Sequence, residues 1–374
     1  MPTRVRIVQP LIPSYREPVF AALARKPELE LEVWADLQWE HSSLTGAGGS
    51  DLFRCVHAPF RHFGPFAWQP ALLRAIERGV DTVVMPWNSR CLQLGPALTK
   101  ARRLGVRTVL WGHGIGKRES PWRRRVRNAL ARRADACLLY SPELAKQLVS
   151  EGMPRERVFV ARNSLDQAPI VLARSKWNTA RIDAFLTERE CVRGRIVLFV
   201  SRLEPEKRAD RLIDAVALVR RSVPDVRLVI VGAGPERDSL EARARRRDLP
   251  VRFEGPLYDE DSLAPWMLGA ACLVQPGAIG LSLLHAFGFG LPVVTSDKRL
   301  PHGPEIEALD DRVNGFLYRD GDLSDLASKI VPLLTDVSLR AGVGAAALAT
   351  VEREGGWNMD GMVAAIVAAV TGVR

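Results

Sequence analysis

The sequence predicts an α/β protein built from two doubly wound, Rossmann-like domains facing across a cleft. Three observations carry that expectation. At 374 residues the chain is too long for one comfortable core and suits two domains. Its short apolar runs alternate with helix-length stretches, the pattern of βαβ units around a parallel sheet. The alternation runs twice, and from about Ser164 to Gly194 the two series are separated by a stretch without strand periodicity.

Taken in order, residues 5–8, 31–34, 81–85, 108–111 and 136–140 read as strands of the first series. Helices are expected at 15–25, at 95–104 and in a third segment before residue 136. In the second series the strands are 195–201, 227–231, 251–254, 272–275, 292–296 and 316–318. The helices between them are 209–221, 235–246, 259–269, 281–288 and 323–334, and two more close the chain. The expected division is a first domain at 1–170, a linker at 171–194 and a second domain at 195–355. The helix in 356–374 is expected to cross back to the first domain.

Hydrophobic residues make up 47% and charged residues 26%, an ordinary globular balance that argues against disorder. The net charge of +10 points toward anionic partners, namely nucleic acid, acidic lipid or phosphorylated small molecules. Most of these arginines are expected to be solvated surface. Five cysteines at wide spacings, with no CxxC, argue against a disulfide framework or zinc site and fit a reducing cytoplasm. Residues 1–14 hold no long apolar segment, so no secretory signal is expected. The uncharged stretch 268–296 is long enough to span a membrane. Pro276, Gly277, Gly280, Gly288, Gly290 and Pro292 break it into strand and helix lengths.

Three segments carry chemistry. SRLEPEK (201–207) sits between a strand and a helix, at the sheet edge where ligands bind. Arg202 and Lys207 flank its turn, as two cations holding a pyrophosphate would, although a helix start with two surface cations fits the local features too. VGAGP (231–235) has Arg237 where a dinucleotide fingerprint needs its third glycine, so Gly232 and Gly234 are expected to allow a tight turn and close approach of a ligand to backbone. In GAIGLSLLHA (277–286), Gly280 permits a tight turn. The N–H groups of Leu281 and Ser282 would then face an anion at a helix start. His285 falls one turn further on, either touching a bound group or packed in the core beside Phe287.

SRLEPEKRADRLIDA, LVIVGAGPERDSL, FEGPLYDEDSL, GAIGLSLLHAFGFGLPVVTSD and PEIEALDDRVNGFLY follow one another in the order and spacing of the retaining glycosyltransferases of family 4. The chain resembles that family strongly over about 190–330 and weakly before. The resemblance implies the GT-B fold, with a nucleotide-sugar-binding second domain and an acceptor-side first domain. It implies that Arg202 and Lys207 grip the donor diphosphate and serve catalysis, with Gly280, Leu281 and Ser282 receiving the same phosphates. Phe253, Gly255 and Leu257 then lie beside the base, and Glu305 borders the donor site. His113, in WGHG (111–114), matches a histidine near the donor sugar, the alternative being a loop histidine between glycines. Tyr15 and Arg16 fall on the acceptor side, where a capped helix start is equally consistent. Asn163 matches the end of the family's first domain. One departure stands out: two glutamates usual in the third segment are replaced by Gly277 and His285. The diphosphate grip survives that change, whereas sugar recognition at that spot does not, and His285 can still bond a ribose hydroxyl.

The activity implied is a metal-independent hexosyl transfer from a UDP- or GDP-linked sugar to a glycan or lipid-linked acceptor, in cell-surface polysaccharide or glycolipid synthesis. No cofactor and no metal is expected, because the cationic pair and helix start do the work of a divalent ion. Asp320-Gly-Asp322 reads as a turn. Residues 121–133, rich in arginine with Trp122, Val126, Leu130 and Ala134 on one side, can dock as a helix on anionic lipid, giving a cytoplasmic protein peripheral to the inner face of the membrane. A solvated helix face is the competing reading there. Nucleic-acid binding is not expected, since no recognised module is present. Competing functions remain: an epimerase or hydrolase acting on the donor alone, an inactive nucleotide-sugar binder and, more remotely, a nicotinamide dehydrogenase.

Overall fold

The computed structural model describes residues 1–36, 51–114 and 119–373. They divide into two compact units, one of Met1–Asn163 with Met359–Arg374, the other of Ser164–Asn358.

The first unit runs β1 (Thr3–Leu11), α1 (Glu17–Ala24), β2 (Leu29–Asp36), β3 (Arg54–His57), β4 (Arg61–Phe63), β5 (Phe66–Trp68) and α2 (Ala71–Arg74). It continues through β6 (Thr82–Pro86), α3 (Leu94–Leu104), β7 (Arg107–Gly112), α4 (Pro121–Arg133), β8 (Ala136–Leu139), α5 (Pro142–Ser150) and β9 (Val158–Val160). Seven strands form a parallel sheet in the order β3-β2-β1-β6-β7-β8-β9, while β4 and β5 form a separate antiparallel ribbon. Successive side chains of each strand enter opposite cores. Val8, Val83, Met85 and Leu110 face one, and Ile7, Val84, Val109 and Leu138 the other.

In the second unit, α6 (Ala168–Ser175) and α7 (Thr179–Thr187) precede β10 (Ile196–Val200), α8 (Ala209–Val219), β11 (Arg227–Val231), α9 (Arg237–Arg246) and β12 (Val251–Gly255). Then come α10 (Glu260–Gly269), β13 (Cys272–Gln275), α11 (Ser282–Gly288), β14 (Val293–Ser296), β15 (Gly315–Tyr318), α12 (Leu323–Thr335) and α13 (Val337–Glu352). Its parallel sheet has the order β12-β11-β10-β13-β14-β15. The last helix, α14 (Met359–Thr371), belongs to the first unit. There Met362, Val363, Ile366 and Val370 pack on the sheet, and the Thr82 hydroxyl donates to the Val370 carbonyl at 2.8 Å.

The expected linker at 171–194 is corrected by this structure. Those residues lie largely in α6 and α7, whose Ile170, Ala173, Ile182 and Leu186 sit in the second unit's core with Trp266, Leu283 and Phe287. Their apolar residues recur at helical spacing, which a search for strand periodicity passes over. The chain passes between units at Asn163, and the second unit runs on to Asn358. The stretch 268–296 forms the end of α10, β13, α11 and β14. Among the described residues no single helix is long and apolar enough to cross a membrane.

In both sheets the strand order reverses beside the first strand of its series, between β1 and β6 and between β10 and β13. The loops after the carboxyl ends of those strands flank the crevice where such sheets bind ligands.

Candidate functional site

In the second unit the loop after β10 and the loop after β13 meet at that reversal and are joined backbone to backbone. Gly277 N–H donates to the Lys207 carbonyl at 3.1 Å and Ala278 N–H to the Glu206 carbonyl at 2.9 Å. The Lys207 ammonium donates to the Ala278 carbonyl at 2.8 Å. Only glycine fits at 277, since a Cβ there would stand 2.0 Å from the Glu206 carbonyl oxygen. A glutamate at this position is therefore sterically incompatible with the junction.

Arg202 Nη1 meets Glu204 Oε1 at 2.6 Å on a half-exposed surface. Glu204 and Glu206 share a hydrogen bond. That bond, helped by burial, pushes the Glu204 carboxyl above its ordinary value, while receiving it holds Glu206 below. Both Arg202 and Lys207 act electrostatically on this carboxyl pair, so the two predicted cations share one neighbourhood.

Gly234 makes a close approach to neighbouring backbone. A Cβ there would stand 2.4 Å from the Leu203 carbonyl oxygen, and Leu203 N–H donates to the Ala233 carbonyl at 2.8 Å. The atoms a Cβ at this glycine would meet belong to the 201–203 loop. Gly255 accepts from Gly232 N–H at 2.8 Å and ends β12. Phe253 lies under the Arg237 guanidinium at 5.8 Å, and Leu257 packs against the core.

Gly280 and Leu281 lead into α11, where the first N–H groups lack intrahelical acceptors. The Ser282 hydroxyl donates to Gln275 Oε1 at 3.1 Å. The carboxylate of buried Glu305 folds back to within ordinary contact of a Cβ at Gly280. His302 braces the same turn. Its Nδ1 accepts from Ile279 N–H at 3.1 Å, so the ring proton sits on Nε2, 3.0 Å from the Ser296 carbonyl.

His285 does not pack beside Phe287. Its ring lies 5.7 Å from that of Phe289, and Nε2 stands 2.7 Å from Glu260 Oε2 on α10. A carboxylate only accepts, so Nε2 donates. Sequence reasoning missed Glu260, Gln275 and His302. Gln275 had a signal, being the polar end of an apolar strand, whereas the separation of 25 positions between Glu260 and His285 gave none. Asp320 and Gly321 form a turn closed by Asp322 N–H to the Arg319 carbonyl at 3.0 Å, as expected; Asp322 then caps α12, and Asp320 lies 3.4 Å from Lys298. Among the described residues no cluster of three metal-ligating side chains forms.

In the first unit, His113 is exposed just past β7, its ring 5.0 Å from Tyr140. Arg16 is only 6% exposed. It donates to Asn163 Oδ1 at 2.5 Å and contacts Met362 sulfur at 3.0 Å, with the rings of Tyr15, Trp111 and Tyr140 about its guanidinium. Its expected place lining an acceptor is corrected to an internal tie, and Tyr15 is part of that enclosure. In α4, Ser120 caps the start, and the inward side is only partly the expected apolar one: Leu130 packs against the core and Ala134 is buried just past the helix, but Trp122 is not there and an arginine is. Arg127 is 1% exposed and pairs with Glu119 at 3.1 Å and Glu151 at 2.8 Å, whereas Trp122 is 69% exposed. Arg124, Arg125, Arg132 and Arg133 face solvent.

Residues 194–336 match the family described as Glycosyl transferases group 1, and residues 17–168 match Glycosyltransferase Family 4. A GDP-mannose-dependent alpha-(1-6)-phosphatidylinositol dimannoside mannosyltransferase of Mycobacterium tuberculosis is 35% identical over 127 residues. That match covers 31% of this chain and 33% of the relative, so the chain spans about a third of its length. The corresponding monomannoside mannosyltransferase of Mycolicibacterium smegmatis is 26% identical over 360 residues, 90% of this chain and 88% of that one. Among solved structures, Anabaena HepE in complex with UDP is 19% identical, with a TM-score of 0.73 over 99% of both chains. Sucrose-phosphate synthase of Thermosynechococcus elongatus is 16% identical, with a TM-score of 0.69 over 98% of this chain and 97% of that one. These structural likenesses speak for the fold.

Proposed function

Because the chain belongs to glycosyltransferase family 4, the group 1 glycosyl transferases with GT-B fold, we propose that it moves a hexose-type sugar, with retention, from a UDP- or GDP-linked donor. The acceptor is a glycan or a lipid-linked sugar in cell-surface polysaccharide or glycolipid synthesis. The observation that carries the reading is the junction of the 201–208 and 276–281 loops at the strand-order reversal, with Arg202 and Lys207 beside it. The relatives support its scope, since two are named as GDP-mannose-dependent phosphatidylinositol mannosyltransferases and a structural neighbour is described with UDP.

In this mechanism Arg202 and Lys207 hold the diphosphate, and the N–H groups of Leu281 and Ser282 receive one of its oxygens. The bond from sugar C1 to the phosphate oxygen breaks as the bond to the acceptor oxygen forms, and the acceptor proton leaves to the departing diphosphate. Negative charge grows on that diphosphate in the transition state, where fixed cations stabilise it most. The incoming phosphates displace Glu204 from Arg202. His285, oriented by Glu260, accepts from a ribose hydroxyl through Nδ1, and His113 contacts the donor sugar. These cations do the work of a divalent ion, so transfer proceeds without one. The exposed arginines of α4 bring the enzyme to the cytoplasmic face of an anionic membrane.

The test is transfer from UDP- and GDP-sugars with and without acceptor. Lys207→Ala removes a charge-assisted contact and should cost about 1.5–3 kcal/mol in binding or barrier. Product from donor alone would favour the epimerase or hydrolase reading. Tight nucleotide binding with no product from any acceptor would favour an inactive binder. Loss of transfer on adding EDTA would overturn metal independence.

A further inference from the structure

The β4–β5 ribbon wears its hydrophobic residues on the outside. Its register pairs Arg61 with Trp68, His62 with Ala67 and Phe63 with Phe66. Since side chains alternate along a strand, Arg61, Phe63, Phe66 and Trp68 share one face and Ala67 points to the other. Ala67 is buried, whereas Phe63, Phe66 and Trp68 are 58%, 48% and 42% exposed.

A third segment extends this face. Ala67 bridges Cys91 in parallel, through Ala67 N–H to the Arg90 carbonyl at 3.0 Å and Leu92 N–H to the Ala67 carbonyl at 3.2 Å. Cys91 is buried alongside Ala67, so Arg90 and Leu92 alternate onto the aromatic face, and Leu92 is 52% exposed. Residues 60–69 and 87–93 contain no aspartate or glutamate. The ribbon follows β3, residues 90–92 follow β6 and α4 follows β7. All three therefore rise from the carboxyl edge of one parallel sheet.

We infer that this ribbon is an interfacial wedge by which the first unit seats on an anionic lipid bilayer, its aromatic rings entering the headgroup–acyl boundary. Contiguous apolar surface of this kind on a soluble unit marks a docking site. The charges beside it select the occupant: among the described residues no acidic side chain pairs with Arg61 or Arg90, which suits lipid phosphates. Aromatic rings with one apolar and one wet side suit a membrane interface. The inference deepens the lipid-linked-acceptor reading and α4's part in it. The ribbon supplies apolar insertion, which salt leaves intact, and α4 supplies electrostatic attraction, which salt screens.

The experiment is co-sedimentation of the full chain with vesicles of phosphatidylcholine and phosphatidylglycerol at low and high salt. The variants are Phe63→Ser/Phe66→Ser/Trp68→Ser and Arg124→Glu/Arg125→Glu. The triple variant should partition on the order of a hundredfold more weakly at both salt concentrations. Its thermal midpoint, its UDP or GDP binding and any transfer to a water-soluble acceptor should stay unchanged. The charge variant should lose only the salt-sensitive part. Wild-type-like vesicle binding by the triple variant would overturn the inference, as would a wild-type chain that ignores vesicles. Loss of binding to soluble oligosaccharide without lipid would identify a glycan platform instead. If the triple variant loses vesicle binding while the chain transfers no sugar at all, the wedge stands and the transferase reading falls.

Discussion

Replacing Gly277 with alanine adds one methyl group at the junction of the two donor-site loops. That carbon would stand 2.0 Å from the Glu206 carbonyl oxygen, where real contacts are essentially never under 3.0 Å. The opposing atom is backbone, so the loops must part by about 1 Å, enough to break hydrogen bonds of normal length. At risk are the Gly277–Lys207 and Ala278–Glu206 backbone bonds and the ammonium bond from Lys207 to Ala278. At about 1 kcal/mol for each neutral bond and about 1.5–3 for the charged one, losing all three costs about 3.5–5 kcal/mol. Because Lys207 is displaced with its loop, affinity for UDP or GDP should fall by roughly a hundredfold. Isothermal titration with each nucleotide and urea unfolding read the two effects separately. Gly277→Glu, which installs the side chain usual in the family, should behave no better than alanine. Wild-type affinity and an unshifted urea midpoint in Gly277→Ala would refute the argument.

Two further outcomes follow from groups outside the donor site. Arg16→Ala should lower the unfolding free energy by about 2–4 kcal/mol, since it removes a charge-assisted bond to Asn163 and a cation within three aromatic rings. Nucleotide affinity should not change, and unaltered stability with lost transfer would return Arg16 to the acceptor. Burial alone would raise the Asp214 carboxyl, but the Arg243 and Arg247 guanidiniums outweigh it and hold the group below its ordinary 3.8. A depressed carboxylate stabilises the fold above its unfolded value and loses that contribution as pH falls through the folded value. Asp214→Asn should therefore cost about 1–2 kcal/mol at neutral pH, the arginines being partly exposed, and should flatten the acid limb below about pH 4 in urea titrations.

The parallel sheets were legible because their strands are buried on both faces and read as unbroken apolar runs, as in β6 and β13. The short ribbon β4–β5 was not, since its exposed aromatics mimic neither a half-buried alternation nor a core run. Helices α6 and α7 were hidden by Pro169 and the polar residues between their core positions. At the site, Arg202, Lys207 and Gly280 could be singled out because each lies in a loop that follows a strand. The glycine at 277 could be noticed as a departure, but its cause lies in the backbone of residue 206, distant in sequence. Arg16 and Arg127 show the same limit, for arginine in a sequence reads as surface until its buried carboxylate, amide and ring partners are seen.

The return of α14 to the first unit sets an order of assembly. The chain leaves that unit at Asn163 and re-enters at Met359, so the second unit is contiguous in sequence and the first is not. A nascent chain can complete the second unit while one face of the first sheet still lacks Met362, Ile366 and Val370. Of the two units, the one begun first is thus the last to be finished, and a chain stopped before residue 359 leaves that sheet with a bare apolar face.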